Sequence, residues 1–134
     1  MGSQRGNRVE AARGFLAAYW RADLAMALGF CAPSAVIVLA RSLPITTPAP
    51  VGEVLPVIFR EVYPRFEDGR FDVAIDRTLA DGDTVLVEYT ARGRLVTGAR
   101  FECDYAAVLD FAEGKIVRVK MYTDTRYLAA ALKP

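Results

Sequence analysis

The chain contains no histidine. That absence removes Ser-His-Asp triads, Cys-His dyads, histidine zinc sites and imidazole general bases together. Any proton transfer falls to carboxylate, tyrosine, lysine, cysteine or water. Cysteine is scarce: Cys31 and Cys103 follow no metal spacing and make no disulfide framework. Both sit in apolar settings and read as buried, reduced side chains. No metal and no cofactor is expected. Neither sign of charge dominates. The net charge is +1, with no basic or acidic block, which argues against the concentrated positive face that nucleic acid demands. The longest uncharged run, Leu24 to Ala40, is broken by Gly29 and by Pro33 and Ser34. A membrane-spanning helix needs about 20 apolar residues, so the run reads as helix, turn and buried strand. The N-terminal "MGSQRGNRVEAARGF" is too polar for a secretory leader. A cytoplasmic location is therefore expected, with residues 1–6 flexible.

What is present suits one domain over residues 1–134. Hydrophobic residues make up 53% of the chain, enough for a core and for a wide apolar cavity or subunit contact. Val9, Ala12, Phe15, Leu16, Tyr19 and Trp20 recur at helical spacing and predict a first helix over 7–21. Asp23 is the expected N-cap of a second helix, ended by Pro33. "SAVIVLA" reads as a buried strand and "RSLPITTPAPVG" as a proline-rich loop long enough to border a pocket. A third helix follows, with Val54, Leu55, Ile58, Phe59, Val62 and Tyr63 on its apolar side. Pro56 places its start near Glu53 or later.

The remainder is a meander. "RFEDGRF" is a polar turn without phosphate-loop glycine spacing. Strands then alternate with turns at "DGD", "VTGA" and "AEG", and "DTRYLAAAL" closes the chain as a short helix capped by Asp124. The order predicts an α+β fold: a cone-like, curved, mostly antiparallel sheet wrapped around N-terminal helices. Strand parity turns Phe101, Cys103, Tyr105, Ala107, Leu109 and Phe111 inward, and likewise Val117, Val119, Met121 and Thr123. It turns Glu88, Glu102 and Asp104 outward, where Arg92, Arg118 and Lys120 can pair with carboxylates across strands.

"ADL" at Ala22 to Leu24, Gly52 before the third helix, "DGD", "EGKI" and "YTDT" occur in an order that resembles the SnoaL-like branch of the nuclear-transport-factor-2-like superfamily. The resemblance covers nearly the whole chain. It implies a pocket between the helices and the sheet. Relatives include ketosteroid isomerase, polyketide cyclases and limonene epoxide hydrolase, so the fold alone fixes no chemistry. The isomerase's aspartate base falls at Leu39, its oxyanion-binding tyrosine at Phe15 with Tyr19 one turn on, and its second oxyanion donor at Ala107. The hydrolase's catalytic set falls at Tyr89, Ala91 and Met121. None of these positions holds a carboxylate, and no catalytic residue is assigned. The implied wall is Phe15, Tyr19, Leu39, Tyr89, Tyr105, Ala107 and Met121. It suits a small apolar ligand, oriented by phenols. Two outcomes fit this pattern: non-catalytic binding, or an atypical cyclase, isomerase or dehydratase activity. An interaction module with an incidental pocket is the alternative. Ala106, Val108 and Tyr122 leave the outward sheet face partly apolar, and with the resemblance they imply a homodimer.

Overall fold

Two aspartates set helix starts. The Asp23 carboxylate accepts from the Met26 N–H at 3.1 Å, and the Asp124 carboxylate from the Tyr127 N–H at 3.0 Å. Each satisfies a first-turn donor that the helix itself leaves open. A computed structural model describes residues 2–133 of the chain. The expected flexibility of residues 1–6 falls partly on Met1, outside the described residues.

Helix α1 spans Gly2–Trp20, α2 spans Leu24–Gly29, and β1 spans Cys31–Val38. A two-residue strand β2, Ala49–Pro50, leads into α3, Val51–Glu61. Strands β3 (Asp72–Asp81), β4 (Thr84–Arg94), β5 (Arg100–Ala112) and β6 (Lys115–Thr123) follow, and α4, Thr125–Ala131, is the last element. The six strands form one mixed sheet in the order β2-β1-β6-β5-β4-β3, open at both edges. Every neighbouring pair is antiparallel except β1 with β6. This is the expected α+β, mostly antiparallel, cone-like architecture, with the helices against the inner face.

Three local expectations need correction. Helix α3 begins at Val51, ahead of Glu53, and so carries Pro56 beyond its first turn. Gly52 is exposed, and water can take the carbonyl that the missing Pro56 N–H leaves free. Strand β1 begins at Cys31 rather than Ser34, with Pro33 inside it. Its pairing with β6 skips from Cys31 to Val36, so Pro33 sits where no ladder bond is required. In β6, Ile116 rather than Val117 is fully buried. A bulge makes Phe111 face Ile116 while Asp110 faces Arg118, leaving Val117 as the extra residue. Inward parity resumes at Val119 and Met121, both buried, and Ala107 pairs directly with Met121.

The core lies between the sheet's inner face and the helices. Ala12, Phe15, Leu16 and Tyr19 of α1 are buried against Ile37, Val85, Val87, Leu109 and Val119 of the strands. Helices α1 and α2 approach closely because Gly14 has no side chain: a Cβ there would stand 2.5 Å from the Phe30 ring. On the outer face, Arg77 pairs with Glu88, Arg92 with Glu102 at 2.6 Å, and Arg118 with Asp110 at 3.6 Å. Thr90 donates to Asp104 at 2.8 Å. Glu88, Glu102, Asp104 and Asp110 are thus committed to cross-strand partners, away from the interior.

Candidate functional site

The inner end of the helix layer is built from rings. Trp20, at the end of α1, lies 5.0 Å from Tyr105, 6.0 Å from Tyr89 and 4.9 Å from Phe71, centroid to centroid. Its indole N–H donates to the Tyr89 hydroxyl at 3.2 Å. Tyr89 and Tyr105 face each other across β4 and β5 and stack at 5.3 Å with planes 5° apart. The Tyr63 hydroxyl donates to the Tyr19 carbonyl, tying the segment after α3 to the end of α1.

Beside this cluster lies a cavity of about 500 Å³. Tyr19, Trp20, Tyr63, Phe66, Phe71 and Tyr105 wall its aromatic end. Leu39, Ile58, Val62, Phe101, Met121 and Leu128 make up the aliphatic and aromatic remainder of the wall. The loop after β1 contributes Ser42, Leu43, Pro44 and Ile45, and α4 closes one side with Leu128 and Ala129. The charged side chains on the lining, Glu61, Arg65 and Lys133, are all exposed and so stand at the mouth.

Of the residues singled out from sequence, Tyr19, Leu39, Tyr105 and Met121 line this cavity, whereas Phe15, Tyr89 and Ala107 do not. Those three are 0–1% exposed. Tyr89 is covered by Trp20 and Tyr105, which stand where its ring was expected to reach the ligand space. Ala107 and Phe15 are enclosed in the core. Asp124 caps α4, and Glu88, Glu102 and Asp104 are held on the outer face. Sequence reasoning missed Trp20, Tyr63, Phe66 and Phe71 as wall residues. Phe66 and Phe71 flank "EDGR", whose polar composition marks a turn and hides that both flanking rings fold inward and meet at 4.5 Å. The signal was present in the repeated Arg-Phe pairs at 65–66 and 70–71.

The electrostatics are those of a buried phenol cluster. Burial pushes Tyr19, Tyr63, Tyr89 and Tyr105 well above the ordinary tyrosine value. Neighbouring phenols and the Cys103 thiol push in the same direction, while the Trp20 N–H partly opposes the shift at Tyr89. These groups are hydrogen-bond donors at neutral pH and not bases. Among the described residues, the Tyr19 hydroxyl has no hydrogen-bond partner and the Tyr105 hydroxyl has only the Cys103 thiol, yet no side-chain polar atom is both fully buried and unsatisfied. The Tyr19 hydroxyl therefore keeps some exposure, and both residues line the cavity. Cys103 is buried, with its sulfur 3.0 Å from the Thr123 hydroxyl. Burial raises the Cys31 thiol to about 11, with Lys115 pulling the other way, so Cys31 is not presented as a thiolate nucleophile. Among the described residues, no cluster of three or more cysteines and carboxylates could hold a metal ion.

The SnoaL-like domain model matches residues 12–119, and the chain belongs to that family. Solved structures agree on the fold. An NTF2-like protein from Burkholderia thailandensis is 26% identical, with a TM-score of 0.78 over 95% of this chain and 98% of that one. TerC, co-crystallized with polyporic acid, is 19% identical with a TM-score of 0.78, covering 96% of this chain and 99% of its own. A putative SnoaL-like polyketide cyclase from Jannaschia sp. CCS1 is 15% identical, with a TM-score of 0.77 over 97% and 94%. No curated protein matches the sequence significantly. Among the described residues, no helix is long and apolar enough to cross a membrane.

The phenol cluster makes an alkaline prediction. Each group's folded pKa lies above its unfolded value near 10, so the unfolded chain loses these protons first as pH rises. The stability they contribute is complete below pH ~10 and declines above it. Phenolate absorbance at 295 nm from Tyr19, Tyr63, Tyr89 and Tyr105 is expected to appear together with loss of helical circular dichroism. Phenolate absorbance from all six tyrosines with the fold intact would contradict the burial described.

Proposed function

We propose that this SnoaL-like domain binds a small, mainly apolar ring compound in the cavity beside Trp20, without acid–base catalysis of the kind its enzyme relatives perform. The observation that carries the reading is the wall itself: about 500 Å³ bordered by rings and aliphatic side chains, with carboxylate only at the exposed mouth. Burial supplies the affinity, at roughly 25 cal/mol per Å² of apolar area before binding costs. The fold's capacity for such compounds is supported by TerC, which was co-crystallized with polyporic acid. A second reading, an atypical cyclase, isomerase or dehydratase, draws support from the two cavity-lining phenols Tyr19 and Tyr105. They are suited to hold a developing oxyanion. That chemistry still needs a base, and the resemblance to the isomerase assigns Leu39 to its base position and Phe15 and Ala107 to its oxyanion-donor positions.

Calorimetric titration with a neutral polycyclic ketone is expected to show saturable 1:1 binding with a negative heat-capacity change. Assays for ketosteroid isomerisation and for terpene-epoxide hydrolysis are expected to show no rate above the uncatalysed reaction. A rate with either substrate that disappears in Tyr105→Phe or Tyr19→Phe would transfer the assignment to the enzymatic reading.

We also propose that the chain works as a homodimer joined through the outer sheet face. Leu79 faces Leu86, and Leu86 faces Val108, making an apolar row across three strands. Leu79 and Tyr122 are 54% and 50% exposed in the isolated chain. A stable contact of about 1,000 Å² or more would cover this row and the paired charges around it. Sedimentation at micromolar concentration is expected to give twice the chain mass, and Leu79→Arg with Val108→Arg to give the monomer. A monomeric parent protein would refute this arrangement.

A further inference from the structure

The cavity's two ends differ in chemistry, and the difference constrains what fits. At the inner end, the Tyr19 hydroxyl lacks a protein partner among the described residues and the Tyr105 hydroxyl has only the weakly accepting sulfur of Cys103, and both residues line the cavity. A phenol held protonated offers a donor and seeks an acceptor oxygen. At the mouth stand two cations and one anion. Glu61 is already paired, its carboxylate 3.1 Å from the Arg60 guanidinium. Arg65 and Lys133 form no ion pair among the described residues. Arg65 donates to the Leu132 carbonyl at the end of α4, which holds its side chain across the opening while other N–H donors of its fork stay free. Apart from Ser42 and Thr123, the rest of the wall offers only rings and aliphatic groups.

Resting on the binding reading above, we infer that the ligand is an amphipathic ring compound with an acceptor oxygen, such as a ketone carbonyl, at its inner end and a carboxylate at its outer end. The carbonyl accepts from Tyr105 and Tyr19. The ring body lies against Trp20, Phe71 and Met121. The carboxylate reaches Arg65 and Lys133, where charge-assisted hydrogen bonds are stronger than neutral ones and exposure to water keeps desolvation small. The same geometry explains how a cavity with no interior charge accepts a charged molecule: the charge never enters it.

Three probes separate the contributions: 9-fluorenone, 9-fluorenone-2-carboxylate and fluorene-2-carboxylate, each titrated into the full chain in low salt and again in 0.5 M NaCl. The fluorenone carboxylate is expected to bind about tenfold tighter than fluorenone at low salt, and the advantage to shrink to about twofold in high salt. Arg65→Gln combined with Lys133→Gln is expected to remove the advantage while leaving fluorenone affinity within about twofold. Tyr105→Phe is expected to weaken fluorenone about five- to tenfold and fluorene-2-carboxylate hardly at all. Circular dichroism of each variant reports whether the fold is kept; Lys133→Gln alone, at an exposed terminal position, serves if the double variant unfolds and should remove part of the advantage. Equal binding of fluorenone and its carboxylate would overturn the charged outer end alone. An advantage that survives the glutamine substitutions would overturn its assignment to Arg65 and Lys133. Failure of all three probes to bind would overturn both this inference and the binding reading beneath it.

Discussion

Trp20 is the contact on which the interior depends. It is the chain's sole tryptophan, sits at the last position of α1, and touches Tyr19, Tyr63, Phe71, Tyr89 and Tyr105 in edge or stacked geometry. Its N–H satisfies the Tyr89 hydroxyl, a polar group otherwise costly at that depth. Through these contacts the first helix, the segment after α3 and the middle of the sheet are fixed to one another. One face of the same indole packs on the core, and another borders the cavity. The packing that holds α1 to the sheet is therefore also the packing that shapes the ligand space.

The second constraint is where the carboxylates are. Arg77, Arg92 and Arg118 draw Glu88, Glu102 and Asp110 to the outer face, Thr90 holds Asp104 there, and Asp124 is spent on a helix cap. Burial of an unpaired carboxylate would be expensive, and the sequence supplies no interior cation to compensate one. The interior is accordingly polar only through phenols and hydroxyls. Phenols raised by burial donate hydrogen bonds without accepting protons at neutral pH. Family membership, plain from the match over residues 12–119, therefore does not by itself fix the chemistry of the site.

Much of the fold was legible because its signals are local and mutually consistent. Asp23 and Asp124 read as caps and are caps. "DGD" and "AEG" read as tight turns, and Gly82 and Gly114 take the positive φ such turns ask for. Alternation along β5 placed its inward residues correctly from Phe101 to Phe111. The misses come from features that alternation cannot carry. The bulge opposite Phe111 shifts β6 by one residue and exchanges Val117 for Ile116. Pro33 and Pro56 read as boundaries, yet each lies where a backbone donor is dispensable. Four of the seven residues expected on the pocket wall, Tyr19, Leu39, Tyr105 and Met121, border the cavity because they sit on inward faces near its open end. Tyr89 shares that parity but is capped by Trp20, a contact between residues 69 positions apart that no local pattern encodes.

Under the proposed function, ligand occupies the space bordered by Trp20. Because that residue is the one tryptophan, its emission reports on this space alone. During titration with a neutral polycyclic ketone, saturable quenching of Trp20 emission is expected with the same midpoint as the binding heat measured on the same sample. Binding heat with unchanged tryptophan emission would place the ligand elsewhere on the molecule and contradict the account.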